Sequence, residues 1–115
     1  MPEQLEAEAQ YPEAPMKRVM VRYKVKPDQA ARNEELVRAV YAELHEREPG
    51  GFRYATFKLD DGLTFVHLAE TEVDPAPLTG LQAFKEFLEG IADRCDEPPV
   101  ATELHEIGSF HLFTD

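Results

Sequence analysis

The sequence predicts an α+β fold of order β-α-β-β-α-β, in which a four-stranded antiparallel sheet carries two helices on one face. Three observations support it. Segments near the two ends of the chain alternate residues with period two. Two others repeat apolar residues at the three-and-four spacing of a helical face. Between the helical segments, GFRYATFKLDDGLTFVHLAET at 51–71 reads as two apolar-rich strands folded back around Asp60-Asp61-Gly62.

The first strand is KRVMVRYKVK, Lys17 to Lys26. Val19, Val21, Tyr23 and Val25 share one face, and Met20, Arg22, Lys24 and Lys26 share the other. Pro27-Asp28 stops the strand and opens a helix extending to Glu48, with Leu36, Val37, Val40, Tyr41 and Leu44 as its apolar stripe. Pro49-Gly50-Gly51 ends that helix, with glycine expected at the left-handed cap. In the hairpin, a two-residue Asp61-Gly62 turn would set Phe57 opposite Val66, Arg53 opposite Glu70 and His67 beside Thr56. A three-residue Asp60-Asp61-Gly62 loop would set Phe57 opposite Phe65 and put His67 on a face with Ala55 and Ala69. The second is preferred, because only Gly62 then needs positive φ.

After Asp74-Pro75-Ala76-Pro77, the stripe Leu81, Phe84, Leu88, Ile91 and Cys95, widened by Phe87 and Ala92, predicts the second helix, with Cys95 closing it as a small buried hydrophobe. Pro98-Pro99 ends the connection, and Val100 to Ile107 alternates as the fourth strand. Gly108 then marks a bend, and Ser109 to Phe113 continues extended with Phe110 and Phe113 exposed. Either hairpin register leaves apolar residues on both sheet faces. Two helices cover only one of them, so a second copy of the chain is expected over the other, in a sheet-to-sheet homodimer.

A chain of 115 residues makes one domain, expected over 17–115. Residues 1–16, with Pro2, Pro12 and Pro15 among Glu, Ala and Gln, read as a mobile acidic tail. The net charge of −11 argues against DNA, RNA or anionic lipid as partners, since their affinity rests on Lys and Arg. No apolar run approaches the length of a membrane span, and the N-terminus lacks a secretory pattern, so a cytoplasmic location is expected. The lone Cys95 allows no intrachain disulfide and no cysteine-rich zinc site. No phosphate loop, dinucleotide fingerprint, nucleophile elbow or zinc motif occurs, and no cofactor is expected.

His67 is the candidate catalytic residue, a mid-strand histidine among aromatics that could deprotonate a phenol. The alternative is a hydrogen-bonded packing histidine. Tyr23, Tyr41 and Tyr54 offer hydroxyls to orient a substrate, or else are core tyrosines. Phe65, Phe84 and His105 complete the candidate binding set, with Phe65, Phe84, Phe87 and Leu88 alternatively filling the pocket themselves.

VRYKVKP at 21–27, the helix ending in REPGG, the hairpin RYATFKLDDGLTFVHLAE and PLTGLQAFKEF at 77–87 resemble antibiotic-biosynthesis-monooxygenase-like proteins. These sit within the dimeric α/β barrel superfamily of ferredoxin-like protomers. The resemblance implies a cavity between sheet and helices, used in relatives for cofactor-free oxidation of phenolic polycyclic molecules by oxygen or for haem degradation. The haem-degrading set of Asn, Trp and His does not transfer. There is no Trp, and the single asparagine, Asn33, falls on the first helix instead of the first strand. What the resemblance implies is a cofactor-independent monooxygenase-like protein for a small aromatic or quinone-type molecule, or a non-catalytic binding or structural protein of the same shape.

Overall fold

The computed structural model describes residues 16–112, so the expected acidic tail (but for Met16) and Phe113 lie outside the described residues. Strand β1 spans Lys17–Val25, β2 Phe52–Lys58, β3 Thr64–Thr71 and β4 Cys95–Leu104. Helix α1 runs Ala30–Arg47 behind a 3₁₀ turn at Pro27–Gln29. A second 3₁₀ turn, Pro77–Gly80, leads to α2, Gln82–Leu88, and then to the four-residue α3, Ile91–Arg94. The sheet order is β2-β3-β1-β4 with every pair antiparallel, the ferredoxin-like arrangement that the sequence predicts. No helix among the described residues is long and apolar enough to cross a membrane.

The alternation read in β1 holds. Tyr23 and Val25 are buried under the helices, and Arg22 is exposed on the opposite face. Phe65 stacks on Tyr23 with ring centroids 5.6 Å apart, and Leu36, Val37 and Val40 of α1 close the core above them.

Several local expectations are corrected. The first is the hairpin register. Phe57 pairs with Val66, Arg53 with Glu70 and Thr56 with His67, the register attached above to the shorter turn. The loop itself is longer than either option: Leu59 N–H donates to Thr64 O at 2.8 Å, leaving Asp60 to Leu63 as four loop residues. Only Gly62 has positive φ, at 73°, so the objection to this register does not arise. The Asp61 carboxylate holds the loop instead, accepting from the amides of Leu63 and Thr64, both at 2.8 Å, and from Thr64 Oγ1 at 2.6 Å. These bonds hold the Asp61 carboxyl down at about 2.

The second correction concerns the end of α1, where Glu48 takes the left-handed cap (φ 47°) in place of a glycine and donates its N–H to Leu44 O at 2.7 Å. Third, the second helix breaks. Gly90 is left-handed with φ 73°, which splits the segment after α2, and within α2 Phe87 is buried while Leu88 is 49% exposed. A carboxylate from α1 starts α2: Glu43 accepts from the amides of Gln82 and Ala83, at 3.4 and 2.8 Å. Fourth, Cys95 is a strand residue. It opens β4 and pairs with Val25, buried as expected but on a different element. Strand β4 continues through Pro98-Pro99 because it is an edge strand and the register shifts there, with Glu97 opposite Lys24 and Val100 opposite Arg22. It ends at Leu104, and residues 105–112 form bends and a turn, not the extended run expected of 109–113.

Candidate functional site

Strand β3 lies between β2 and β1, so His67 has Thr56 on one side and Val21 on the other. Alternation then places Tyr23, two residues after Val21, and Tyr54, two before Thr56, on the same helix-facing surface as His67. Helix α1 lies over this surface. Asn33 and Tyr41, eight residues apart and so a little over two turns, both face down. The end of α3 brings Arg94 in beside Asn33.

These residues form one hydrogen-bonded network. Tyr23 Oη is 2.8 Å from His67 Nε2, and Asn33 Nδ2 donates to Tyr23 Oη at 2.8 Å. On the other side of the imidazole, Tyr54 Oη lies 2.6 Å and Thr56 Oγ1 3.1 Å from Nδ1. Tyr41 Oη continues the network at 2.8 Å from Thr56 Oγ1. Arg94 donates from Nε to Asn33 Oδ1 at 3.2 Å, and from its two terminal nitrogens to Glu89 O at 3.0 Å and Phe87 O at 2.7 Å. The Phe87 ring anchors the group, with the guanidinium 5.2 Å from its centroid, Tyr23 against it at 6.0 Å and His67 at 5.6 Å.

Burial sets the charge states. His67 is 5% exposed, and loss of water pulls its pKa down to about 4, so the ring is neutral at pH 7. Burial pushes the hydroxyls of Tyr23, Tyr54 and Tyr41 above the ordinary tyrosine value. The interior is therefore a chain of neutral donors and acceptors with a single fixed charge, Arg94, at its inner end.

The outer end reaches a cleft. Between α1 and the sheet a cavity of about 340 Å³ is lined by Val37, Tyr41, Thr56 and Phe65, with Glu34, Arg38 and Lys58 also on its wall. Glu34 is paired there with Lys58 and, at 3.3 Å, with Arg38. A larger depression of about 530 Å³ at the hairpin tip is lined by Lys58, Leu59, Asp60 and Asp61 and has no aromatic wall. Among the described residues no cluster of three or more His, Cys, Asp or Glu could hold a metal ion.

Of the residues singled out from sequence, Tyr23, Tyr41, Tyr54 and His67 share the network, and Phe65 lies against it. Phe84 stands one ring further away, stacked on Phe87 at 6.0 Å. His105 is not part of the group: it lies beyond the end of β4 and is exposed. Asn33, Thr56 and Arg94 were not read from the sequence as site residues, and Phe87 was read only as a filler of the pocket. A signal existed for Asn33, which extends the stripe of Val37, Val40 and Leu44 by one turn toward the N-terminus. Arg94 falls three after Ile91 and seven after Phe87, but a charged residue on an apolar face reads as a surface position until its partners are seen.

The model of the antibiotic biosynthesis monooxygenase family matches residues 16–70, from the start of β1 through nearly all of β3. That segment contributes every network residue but Arg94 and Phe87. Over that segment, a little under half of its length, the chain is similar to antibiotic biosynthesis monooxygenases. A candidate antibiotic biosynthesis monooxygenase from Nitrosomonas europaea superposes with TM-score 0.67 at 22% identity, over 84% of this chain and 95% of its own. The Mycobacterium tuberculosis protein Rv0793 superposes at 0.68 with 18% identity, over 83% and 98%. The Pseudomonas aeruginosa protein PA3566 does so at 0.68 with 17% identity, over 84% and 98%. At these identities the likeness is one of fold. No curated protein matches the sequence. The cleft under α1 touches the buried network through Tyr41 and Thr56, which line both.

Proposed function

We propose that the protein is a cofactor-independent monooxygenase-like protein that takes a small aromatic or quinone-type molecule in the cleft under α1. One observation carries this reading: two hydroxyls, Tyr41 Oη and Thr56 Oγ1, stand 2.8 Å apart on the wall of a cleft of about 340 Å³ floored by Val37 and Phe65. That is the size of a small-ligand pocket, and its lining combines apolar surface with the two hydroxyls and the charged Glu34, Arg38 and Lys58. In the reaction class that the family likeness suggests, dioxygen is the oxidant and the substrate supplies the electrons. A ring methylene beside an oxygenated ring gains one oxygen atom, R₂CH₂ + O₂ → R₂C=O + H₂O. The demanding moment is the build-up of charge on the ring oxygen as the substrate ionises, and a fixed hydrogen-bond donor lowers that barrier.

His67 is proposed to act there through Thr56 Oγ1. Direct removal of a phenol proton by His67, the role expected from sequence, is opposed by its burial, its two occupied nitrogens and its low basicity. The same occupancy favours a second reading, a non-catalytic binding protein. A homodimer is part of the proposal. Met20, Ala55, Phe57, Val66, Leu68 and Val100 share the sheet face away from the helices, where Phe57 is 47% and Val100 61% exposed. A cytoplasmic setting is proposed with it.

The test is an oxygen-electrode assay with anthrone, run beside calorimetric titration of the same compound. Oxygen uptake that falls at least tenfold in Tyr41→Phe and Thr56→Val supports the oxygenase. Binding without uptake supports the second reading, and absence of binding refutes both.

A further inference from the structure

The network has a direction, and Arg94 sets it. A guanidinium only donates, so the Asn33 atom 3.2 Å from Arg94 Nε is the carbonyl oxygen, and the amide NH₂ must point at Tyr23. Tyr23 Oη therefore accepts from Asn33. Its own proton needs an acceptor, and the ring nitrogen Nε2 of His67 stands 2.8 Å away. Tyr23 is 2% exposed, so a proton not passed to Nε2 would be buried without a partner. Nε2 is thus the unprotonated nitrogen, and Nδ1 carries the hydrogen.

Counting protons on the far side gives the consequence. Nδ1–H lies against Tyr54 Oη and Thr56 Oγ1, and Thr56 Oγ1 lies against Tyr41 Oη. The imidazole hydrogen serves both contacts made by Nδ1. Three hydroxyl protons remain: the link between Thr56 and Tyr41 takes one, and the hydrogen bond between Tyr54 and Thr56, which works against the effect of burial on the Tyr54 hydroxyl, takes another. One hydroxyl proton is left over. Two of the three hydroxyls, those of Thr56 and Tyr41, line the cleft. With the hydrogen on Nε2 instead, Nδ1 would absorb that surplus, and the cleft would offer no spare hydroxyl donor beside the ion-paired Arg38 and Lys58 on its wall.

We propose that Arg94 and Asn33 are positioning residues that lock His67 as its Nδ1–H tautomer, so that the cleft presents a hydroxyl donor and selects an aromatic ligand by an acceptor oxygen, a quinone or ketone carbonyl or a phenolate. The ligand class rests on the cleft reading given under Proposed function; the tautomer does not. Both network ends matter to it: Arg94 touches no ligand, and Tyr41 does.

Long-range ¹H–¹⁵N correlation spectra of the uniformly labelled full chain at pH 7 test the tautomer with no ligand present. The expected result is a His67 ring with protonated Nδ1 and bare Nε2. In Asn33→Asp, where both side-chain oxygens accept, Tyr23 is expected to turn its proton toward position 33 and His67 to carry its hydrogen on Nε2. A wild-type His67 with hydrogen on Nε2, or on both nitrogens, overturns the proposal, and this arm stands even if the variant does not fold. A folded Asn33→Asp that keeps the Nδ1 hydrogen also overturns it. In a second arm, titration with 1,4-naphthoquinone is expected to show about fivefold weaker binding in Asn33→Asp than in wild type, the scale of one lost hydrogen bond. Equal binding in the two refutes the donor-selecting cleft. Failure of the quinone to bind wild type refutes the cleft as ligand site and leaves the tautomer result intact.

Discussion

Acidification should destabilise this protein through His67, and the size of the effect follows from its burial. The ring sits at about 4 in the folded protein against 6.5 when unfolded. Between those values the unfolded chain binds a proton that the folded one refuses, so stability rises with pH across the window and is lost as pH falls through it. The contribution is fully present above 6.5. At about 1.36 kcal/mol per unit, some 2.5 units correspond to about 3 kcal/mol lost by pH 4. That is a large share of the ~5–15 kcal/mol expected for a small domain. The assay is urea denaturation at half-unit steps from pH 7.5 to 4, for wild type and for His67→Gln, which keeps an acceptor and a donor but does not titrate. Other titrating groups cancel in the difference between the two curves. The difference should shrink by about 3 kcal/mol as pH falls from 7 to 4, with a slope no steeper than about 1.4 kcal/mol per unit. Parallel curves, within about 0.5 kcal/mol, would show that the imidazole is protonated in the native state or reachable by water, and the buried neutral network would be wrong.

Other expectations concern the packing around the site. Phe87→Ala should cost about 3–5 kcal/mol in chemical denaturation, because the ring is 5% exposed and carries Tyr23, His67 and Arg94, whereas Leu88→Ala should stay within about 0.5 kcal/mol. Asp61→Ala should speed amide hydrogen exchange at Leu63 and Thr64 well above that of neighbouring strand amides, and an unchanged rate would remove the carboxylate as the device that sets the hairpin register. Leu68→Glu, a charge on the sheet face away from the helices, should turn a species of twice the 13.1 kDa chain mass into a monomer in sedimentation equilibrium. A wild-type monomer would refute the covered face directly.

The elements that periodicity alone could find are in place: β1, α1, the hairpin strands and a helical segment after Pro77 all follow from which residues must face the core. Less of the site followed, because the preferred register set His67 on a face with Ala55 and Ala69, and only the observed pairing of Thr56 with His67 brings Tyr23, His67 and Tyr54 to one face. What periodicity could not supply were interactions between residues far apart or conformations particular to one position. The register depended on the Asp61 side chain reaching forward to Leu63 and Thr64, where the sequence offered only a contest over positive φ. The break at Gly90 ended the helical stripe and handed Cys95 to the sheet, because a left-handed glycine re-aims everything after it. Pro98-Pro99 could stay in a strand only because β4 is an edge, a fact about neighbours.

The amino-acid sequence by itself determined the order of elements and supplied three tyrosines and one histidine as candidate polar groups, since these depend on residue types at fixed spacing. Only the tertiary structure decided what those groups do. Asn33 and Arg94 are 61 positions apart and meet because α3 ends against α1. That meeting fixes which way every proton between them and the cleft can point, and no local pattern encodes it.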